Sequence, residues 1–512
     1  MANQPIILYN AQINFESSVI SQPNYLKVSD GKIVFIGNAS SHNINDDLDS
    51  KFIDCQGGTL LPGFHDAHIH LLAMASRFLG LDCSPKESSS IQTLKELFFH
   101  RSKSTHPGKW IRGWGYEESC FVENRHPNRF DLDEVTPHNP IRLNHRSGHA
   151  TVLNTLGLQQ AGITRETVEP PEGIIERDAD GEPTGLLFEM DSFLEGRIEP
   201  IPANELKKGI WEVSQWLLSR GITTVQDASV VNDLKRWELL NHFQKENLLK
   251  QRLIFMLSSS TAKGISEGQY PLPRDSQHLR IGHAKIMITF TNGSMSPDQD
   301  SLNELVSDLN TKGFPVAIHA VEAEAVKAAA IAINHAPKNS AICAPNRIEH
   351  ASELPVNLIR LVKRSGATVI TNPGFIFFAG EKFRNTVPAF KQPWLYRIAS
   401  LLHMGIPVAF GSDGPVELPE PITELYAAVT RKSRAGFVFE RNESVTLEQA
   451  LDLHTYQGAV SCGIDNWVGK IKIGQAADLT VLDRNIFTLE PDQWNELRVT
   501  STIIDGEILW KA

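Results

Sequence analysis

The middle of the 512-residue chain alternates short β-rich runs with helical patterns, and this alternation is its most constraining feature. Intervals such as Leu206–Ser219 and Glu322–Asn334 have the apolar spacing of helices. Eight strand-then-helix units predict an α/β fold, a (β/α)8 TIM-like barrel. The eight predicted strands are Thr59–Leu61, Ile222–Gln226, Leu253–Leu257, His283–Ile288, Pro315–His319, Arg347–His350, Ala367–Thr371 and Pro407–Gly411.

Both ends of the chain contain short strands separated by turns. Asp30-Gly31 and Asp505-Gly506 each lie between two β-rich runs, which is a hairpin pattern. We therefore expect residues 1–60 and 465–512 to build one small β-sandwich, with the barrel in residues 61–464 between them. Residues from about 72 to 202 are too many for a βα loop and are rich in Trp, Pro and Gly. They predict a long insertion after the first barrel strand, over the C-terminal face of the barrel.

Charge and composition exclude several classes of partner. The chain has 49 Lys and Arg against 60 Asp and Glu, a net charge of −11, without a basic stripe, so nucleic acid is not an expected partner. The N-terminus lacks the pattern of an export signal, and no run approaches the ~20 apolar residues of a spanning helix. The five cysteines are far apart and never in CxxC spacing, which predicts neither disulfides nor a structural zinc site. We expect a soluble cytoplasmic protein that does not bind membranes, and a homo-oligomer remains possible.

A pair of histidines, His68 and His70, lies at the C-terminal end of the first predicted barrel strand. In an extended segment, side chains two residues apart project to the same side. Two imidazoles directed together suit a divalent transition metal, especially zinc. Such pairs also occur by chance in surface loops, but the position at a strand end favours a metal site.

Four further residues lie at strand ends in step with the barrel period. Lys285, His319 and His350 are separated by gaps that each match one βα unit, and Asp413 follows the eighth predicted strand. A single histidine at a strand end is more often part of the core, and a single Asp after a strand is more often a helix cap. Because all four residues follow the spacing of the βα units and accompany the histidine pair at strand ends, the pattern predicts a metal site on one face of the barrel.

These motifs resemble the amidohydrolase superfamily, in particular its branch that includes N-substituted formamide deformylases. The resemblance runs nearly end to end and is specific for the superfamily. The segments that carry it are Leu61–His70, Ala317–Ala320, Arg347–His350, Gly411–Pro415, Gly469–Leu479 and, within the insertion, Trp110–Tyr116 and Arg146–His149.

The resemblance implies a hydrolytic centre with one or two divalent metals per chain, with zinc the expected metal. His68, His70 and Asp413 would bind one ion, and His319 and His350 the second. Lys285 would bridge them as a carboxylated lysine, because an unmodified lysine is a cation that would repel the metals. The alternative is that Lys285 pairs with an acid and the site is mononuclear.

The predicted function is a metal-dependent hydrolase that cleaves a non-peptide C–N bond, such as an amide, formamide or cyclic amide, with activated water. Asp413 would accept the water's proton and transfer it to the leaving nitrogen. Two alternatives remain: an ester or lactone hydrolase with the same site, and a non-catalytic binding protein with the same fold.

Several other residues are candidates for supporting roles. Trp114, Arg146 and His149 are expected to bind a small-molecule substrate from the insertion, although packing inside the insertion would explain them equally well. His65 precedes the histidine pair and could orient a ligand, or simply lie in a turn. Glu349 adjoins His350 and projects to the opposite side of its strand, so we do not expect it to be catalytic.

Overall fold

The computed structural model describes residues 4–13, 23–38, 49–170, 173–290, 293–338 and 342–512. In these residues, eight parallel strands form a nearly closed barrel, and further sheets are built from the chain termini and from the insertion. The predicted α/β barrel is therefore confirmed. Residues 1–3, 14–22 and 39–48, which belong to the predicted sandwich and to the segment judged for an export signal, lie outside the described residues.

The N-terminal part of the chain forms short strands that lie in two sheets. Asp30 and Gly31 form a two-residue turn with φ of 49° and 75° between two antiparallel strands, as the Asp-Gly pattern predicts. The strands are β1 (Ile6–Tyr9), β2 (Gln12–Ile13), β3 (Tyr25–Ser29), β4 (Lys32–Gly37), β5 (Lys51–Asp54) and β6 (Thr59–Pro62).

The barrel begins one strand later than predicted. The prediction that Thr59–Leu61 starts it is wrong: these residues lie in β6, a strand of a terminal sheet, and the first barrel strand is β7 (Phe64–Ile69). Both strands are fully buried, but β7 contains His65, Asp66 and His68, whereas the run predicted as the first barrel strand is more apolar. The chain changes sheets at Gly63, where an added Cβ would lie 2.2 Å from the Thr223 hydroxyl oxygen. Helix α1 (Leu71–Leu79) follows β7.

The long segment after α1 builds a separate sheet, which we call the inserted sheet. Its elements are β8 (Leu81–Asp82), α2 (Ile91–Ser102), β9 (Ile111–Tyr116), α3 (Arg129–Asp133), β10 (Ile141–His145), β11 (Ala150–Leu153), α4 (Thr155–Ala161), β12 (Ile174–Arg177), β13 (Pro183–Phe188) and α5 (Asp191–Leu194), with a 3-10 turn at Glu118–Cys120. The strand order is β12-β13-β11-β10-β9-β8, and the sheet has apolar clusters of its own.

The remaining barrel strands follow in chain order, and each lies parallel to its predecessor. All seven overlap the runs predicted for them. The elements are α6 (Ala203–Ser219), β14 (Ile222–Asp227), α7 (Leu234–Lys245), β15 (Arg252–Ser258), α8 (Ser259–Ser266), β16 (Leu279–Met287), α9 (Gln299–Thr311), β17 (Val316–Ala320), α10 (Ala323–His335), β18 (Arg347–His350), α11 (Val356–Ser365), β19 (Thr368–Thr371), α12 (Gly374–Thr386), α13 (Ala399–His403), β20 (Val408–Phe410) and α14 (Pro421–Thr430).

The barrel closes between β7 and the segment that follows β20. The Asp413 amide donates to the His68 carbonyl oxygen (2.8 Å), and the His70 amide donates to the Gly414 carbonyl oxygen (2.7 Å). Gly411 allows this close approach, because a Cβ there would lie 2.7 Å from the Cβ of His68. Barrel closure therefore places the histidine pair directly beside Asp413.

The C-terminal strands complete a terminal sheet of order β2-β6-β21-β22-β23, so strands from both ends of the chain share one sheet. Among the described residues, no helix combines the length and apolar character needed to cross a bilayer. The last elements are α15 (Leu447–Leu453), α16 (Tyr456–Val460), β21 (Leu479–Leu482), β22 (Val499–Ile504) and β23 (Glu507–Lys511), with 3-10 turns at Gln392–Trp394, Arg441–Glu443, Ile486–Thr488 and Pro491–Glu496.

A buried ion pair joins the barrel to this terminal sheet. Arg252, at the start of β15, donates from Nε and Nη2 to the two carboxylate oxygens of Asp478, at 2.6 and 3.0 Å. Its guanidinium also pairs with Asp505 and lies over the Trp467 ring. Two parallel hydrogen bonds offset much of the cost of removing these charges from water.

Removal of one partner from this pair should destabilise the protein. In Asp478→Ala, the buried Arg252 keeps Asp505 and the backbone carbonyl oxygen of Gln277 but loses its two parallel hydrogen bonds, and we expect a loss of about 3 kcal/mol in the free energy of unfolding. The measurement is the midpoint of thermal unfolding at a fixed scan rate. Glu496→Ala is the control, because Glu496 is 70% exposed and its pairing with Arg484 is solvated. Equal midpoints for Asp478→Ala and the unmodified protein would show that this pair does not hold the two parts together.

Candidate active site

A cavity of about 630 Å³ lies at the C-terminal ends of the barrel strands, and the inserted sheet forms part of its wall. Most of the residues predicted for the site meet there. Among the described residues, those predicted site residues that line the cavity are His70, Trp114, His149, Lys285, His319, His350 and Asp413.

His68, His70 and Asp413 form the centre of the site. One carboxylate oxygen of Asp413 lies 3.1 Å from Nε2 of His70 and 3.5 Å from Nε2 of His68. One ligand atom from each of the three residues lies within 4.8 Å of the others, a spacing that suits a metal ion. Burial alone would raise the pKa of Asp413, but the neighbouring imidazoles, His350 first, hold that pKa well below its usual range. Asp413 is therefore an ionised carboxylate.

The other two histidines continue this cluster. The ring centroid of His350 lies 4.7 Å from those of both His68 and His319. His350 and Asp413 have φ of 69° and 62°, in the left-handed region that residues other than glycine seldom adopt. Such backbone strain persists only where the surroundings enforce it, and it is concentrated at functional sites.

Lys285 is buried at the same strand ends. Among the described residues, its Nζ atom has no hydrogen-bond partner. Burial lowers the pKa of Lys285 to about 8, although the carboxylates of Glu349 and Asp413 act in the opposite direction. A buried ammonium group without a hydrogen bond is costly, so this position makes the neutral amine more accessible than in an exposed lysine and favours a modification that supplies a partner.

A carboxylate behind His68 fixes the orientation of its ring. Nδ1 of His68 donates to Glu349, and Arg347 donates to both oxygens of Glu349 at 2.8 Å. Burial would raise the pKa of Glu349, but Arg347 and His68 hold it well below its usual range. With Nδ1 occupied, His68 directs Nε2 towards Asp413, and Nε2 has no hydrogen-bond partner in the described part of the chain. In metal sites, a carboxylate that accepts from the second ring nitrogen of a histidine commonly fixes the orientation of that ligand.

The role of Glu349 was missed in the sequence. Glu349 contacts Nδ1 of His68 in the barrel interior, and the ring of His350 lies 4.7 Å from the same imidazole, so the two neighbours do not project to opposite sides as expected. A signal was present: Arg347 and Glu349 are two charged residues two apart in a buried strand, so their side chains share one side and can pair.

Two more polar residues at strand ends also orient histidines. Nδ1 of His350 donates to the side-chain oxygen of Asn372 (2.8 Å), and Nδ2 of Asn372 donates to the carbonyl oxygen of Gly411 (2.7 Å). Nδ1 of His70 lies 3.1 Å from the Ser229 hydroxyl. Asn372 and Ser229 follow β19 and β14, and no pattern of residue types singles out either of them.

The inserted sheet contributes His149 from the turn between β10 and β11. Nδ1 of His149 donates to Glu189 (2.6 Å), and the ring lies 6.2 Å from that of His319. Burial lowers the pKa of His149, but Glu189 outweighs burial, so the net shift is upward. Glu189 has a φ of 51°, so this pair also depends on a strained backbone.

Arg146 and His65 lie elsewhere. Arg146 does not line the cavity: it pairs with Glu117 (2.6 Å) and with Glu417, and so joins the inserted segment to the loop after Asp413. His65 accepts from the amide of Gln226 (2.9 Å) and is buried. Desolvation lowers the pKa of His65 to about 3, so it is a neutral core histidine.

The chain belongs to the amidohydrolase family, whose model matches residues 51–510. This result confirms the resemblance inferred from the motifs. N-substituted formamide deformylase of Arthrobacter pascens is 28% identical, with 99% of this chain and 98% of that protein covered. The putative amidohydrolase YtcJ of Bacillus subtilis (strain 168) is also 28% identical, over 90% of this chain and 91% of its own length.

Solved structures agree on the fold. An uncharacterized metal-dependent hydrolase from Pyrococcus furiosus aligns with a TM-score of 0.72 at 23% identity, covering 95% of this chain and 99% of that one. An adenosine deaminase from Xanthomonas campestris with bound zinc aligns with a TM-score of 0.55 at 12% identity, over 98% of this chain and 92% of its own.

Family membership also confirms the predicted class of activity, hydrolysis of carbon–nitrogen bonds other than peptide bonds. It does not favour the two alternatives, ester or lactone hydrolysis and non-catalytic binding.

The support of His68 by Glu349 can be tested by substitution. Glu349→Gln keeps the size of the side chain but removes the charge that fixes the His68 ring, so binding of divalent metal should weaken about 10- to 100-fold. The measurement is competition for zinc with a chromophoric chelator, with circular dichroism to verify folding. Glu353→Gln, whose carboxylate pairs with Lys391 (2.8 Å) outside the cluster, is the matched control and should bind metal normally. A folded Glu349→Gln variant with unchanged affinity would contradict this role.

Proposed function

We propose that this protein is a metal-dependent hydrolase of small formamides or related amides. The observation that carries the proposal is the convergence of His68, His70 and Asp413 within one ligand sphere at the mouth of the barrel. Support for the substrate class comes from the full-length similarity to a protein named N-substituted formamide deformylase. The cavity volume of about 630 Å³ suits a small molecule.

The side chains fit a metal centre. Nε2 of His68 and Nζ of Lys285 are buried polar atoms without hydrogen-bond partners among the described residues, which is costly unless a ligand satisfies them. Imidazole nitrogens with a carboxylate oxygen are ligands that zinc prefers, so zinc is the proposed metal. His68, His70 and Asp413 would hold one ion. His319 and His350 would hold a second.

Lys285 would lie between the two ions as a carboxylated lysine. In this modification the neutral amine forms an N–C bond to carbon dioxide and loses a proton, which leaves an anionic carbamate with two ligand oxygens. The modification would replace a potential cation by an anion, and an anion between two divalent ions would reduce their mutual repulsion. It also gives the isolated Nζ group a partner.

A bound divalent ion would supply Lewis acidity and lower the pKa of water at the site. Asp413 is already ionised, and its carboxylate would accept a proton from the attacking water. It would then return that proton to the leaving nitrogen, which matters because an amide anion is a poor leaving group. His149, held by Glu189 and facing His319, would contact the substrate carbonyl, and Trp114 would form an apolar wall beside it.

Lys285→Ala tests the bridge. The unmodified protein should contain one to two divalent ions per chain by elemental analysis and lose activity with a chelator. Lys285→Ala should lose the second ion and most activity, and added acetate or propionate should restore part of both by occupying the vacated space. Lys207→Ala, which removes an exposed lysine paired with Glu246, should change neither. Full metal content and turnover in Lys285→Ala would mean that the site is mononuclear.

Asp413→Asn separates proton transfer from binding. Asn keeps one ligand oxygen but is not a base near neutral pH, so kcat for an amide should fall about 10²- to 10⁴-fold with a smaller change in KM. The loss should be smaller for an activated ester of the same acyl group, whose leaving group needs little protonation. Asp492→Asn, at an exposed carboxylate, is the control. Near-normal amide turnover in Asp413→Asn with full metal content would assign the base elsewhere.

A further inference from the structure

The wall that the inserted sheet gives to the cavity contains two rows of side chains. Strands β9 and β10 are parallel neighbours, with Arg112 opposite Arg142 and Trp114 opposite Asn144. Residues two apart on a strand share one face, and all four side chains line the cavity. The cavity wall therefore has a tryptophan–asparagine row next to an arginine row.

The two rows lie at different distances from the candidate metal centre. Strand β10 ends at His145, and the turn that follows brings His149 to within 6.2 Å of the His319 ring. Arg142 lies three residues before His145, which at about 3.3 Å per residue is about 10 Å farther from the metal centre along the strand. A substrate whose reactive bond is at the metal centre would thus pass Trp114 before it reaches the arginines.

Most of the charges along this cavity are already paired. Among the described residues, each carboxylate that the inserted segment contributes to the cavity has a basic partner within 3 Å: Asp191 with Arg142, Glu195 with Arg236, Glu189 with His149 and Glu199 with Lys109. Each of these carboxylates is therefore already paired within the wall.

Arg112 is different. Its guanidinium donates to the backbone carbonyl oxygen of Glu199 and lies near the Trp110 ring, and no described carboxylate oxygen is within 4.0 Å of it. A guanidinium has five N–H donors, so most of those of Arg112 remain available to a ligand. Burial is the main reason that its pKa is lowered, to about 10, and it stays a cation at neutral pH.

We propose that Arg112, supported by Arg142, binds a carboxylate group at the end of the substrate opposite the scissile bond, with an aromatic or apolar segment against Trp114. The proposal rests on the proposed amide hydrolysis and specifies its substrate class. A planar carboxylate matches the paired donors of a guanidinium better than any neutral group of the same shape. A purely structural Arg112, which only holds the Glu199 segment, is the competing explanation.

The test uses three formamides that share one benzyl scaffold and carry a negative, a neutral or a positive para substituent. The first is N-[4-(carboxymethyl)benzyl]formamide, the second is its neutral primary amide, and the third carries a 4-(2-aminoethyl) group. The metal-loaded protein should have a kcat/KM for the carboxylate about tenfold or more above that for the neutral compound. Arg112→Gln should abolish this preference mainly through KM for the carboxylate. Arg112→Lys should restore part of it, and Arg112→Glu should favour the ammonium compound.

Arg125→Gln is the matched control, because it removes an arginine of the same inserted segment that pairs with Asp131 (2.7 Å) and does not line the cavity. It should keep the preference. If Arg112→Gln slows the carboxylate and its neutral isostere equally, or if the unmodified protein does not discriminate between them, the proposal is overturned.

Failure of the proposed function would be recognised separately. If no formamide is hydrolysed by the metal-loaded protein, amide hydrolysis of this class is wrong. Calorimetric titration with 4-methylphenylacetate then tests the arginine site alone. Binding that weakens about tenfold in Arg112→Gln supports the site, and equal or absent binding in both proteins rejects it.

Discussion

Closure of the barrel between β7 and the segment after β20 is the constraint on which the site depends. The backbone hydrogen bond from Asp413 to His68 is part of that closure, so the same contact completes the barrel and brings two of the candidate ligands together. Because Asp413 and His350 both adopt left-handed backbone conformations, the site is not what the local sequence would prefer. The closed barrel enforces it, and Gly411 leaves the space that the approach requires.

Beneath the ligands, the barrel interior contains charge that a structural core would not need. Arg347 and Glu349 are both completely buried, and such a pair is often no more stabilising than apolar residues of the same volume. The position of the pair gives a reason for burying these charges despite their desolvation cost. Glu349 fixes the ring of His68, and Arg347 keeps the Glu349 carboxylate ionised. The ion pair therefore serves the geometry of the site more than the stability of the fold.

The sequence predicted the α/β barrel. The histidine pair led to His70, and the strand period led to Lys285, His319, His350 and Asp413, because both signals are spacings along the chain. Prediction from the sequence failed where the answer depends on which strands become neighbours. Thr59–Leu61 is the more apolar of the two buried runs, and only the pairing of β6 with β21 shows that it lies outside the barrel. Glu349, Asn372 and Ser229 act across strands, and Arg146 pairs with a loop 271 residues away, so no local pattern reveals their partners.

In the proposed function, chemistry and selectivity come from two different elements of the fold. The candidate ligands come from the ends of barrel strands, whose spacing is fixed by the parallel hydrogen-bond ladder. Residues that would meet the rest of the substrate, Trp114 and Arg112 among them, come from a sheet with its own core. Substitutions in that sheet can change the shape and charge of the cavity without moving a ligand. Arg146, between Glu117 and Glu417, joins the two elements a few residues after Asp413, so the inserted sheet is also fixed relative to the carboxylate at the centre.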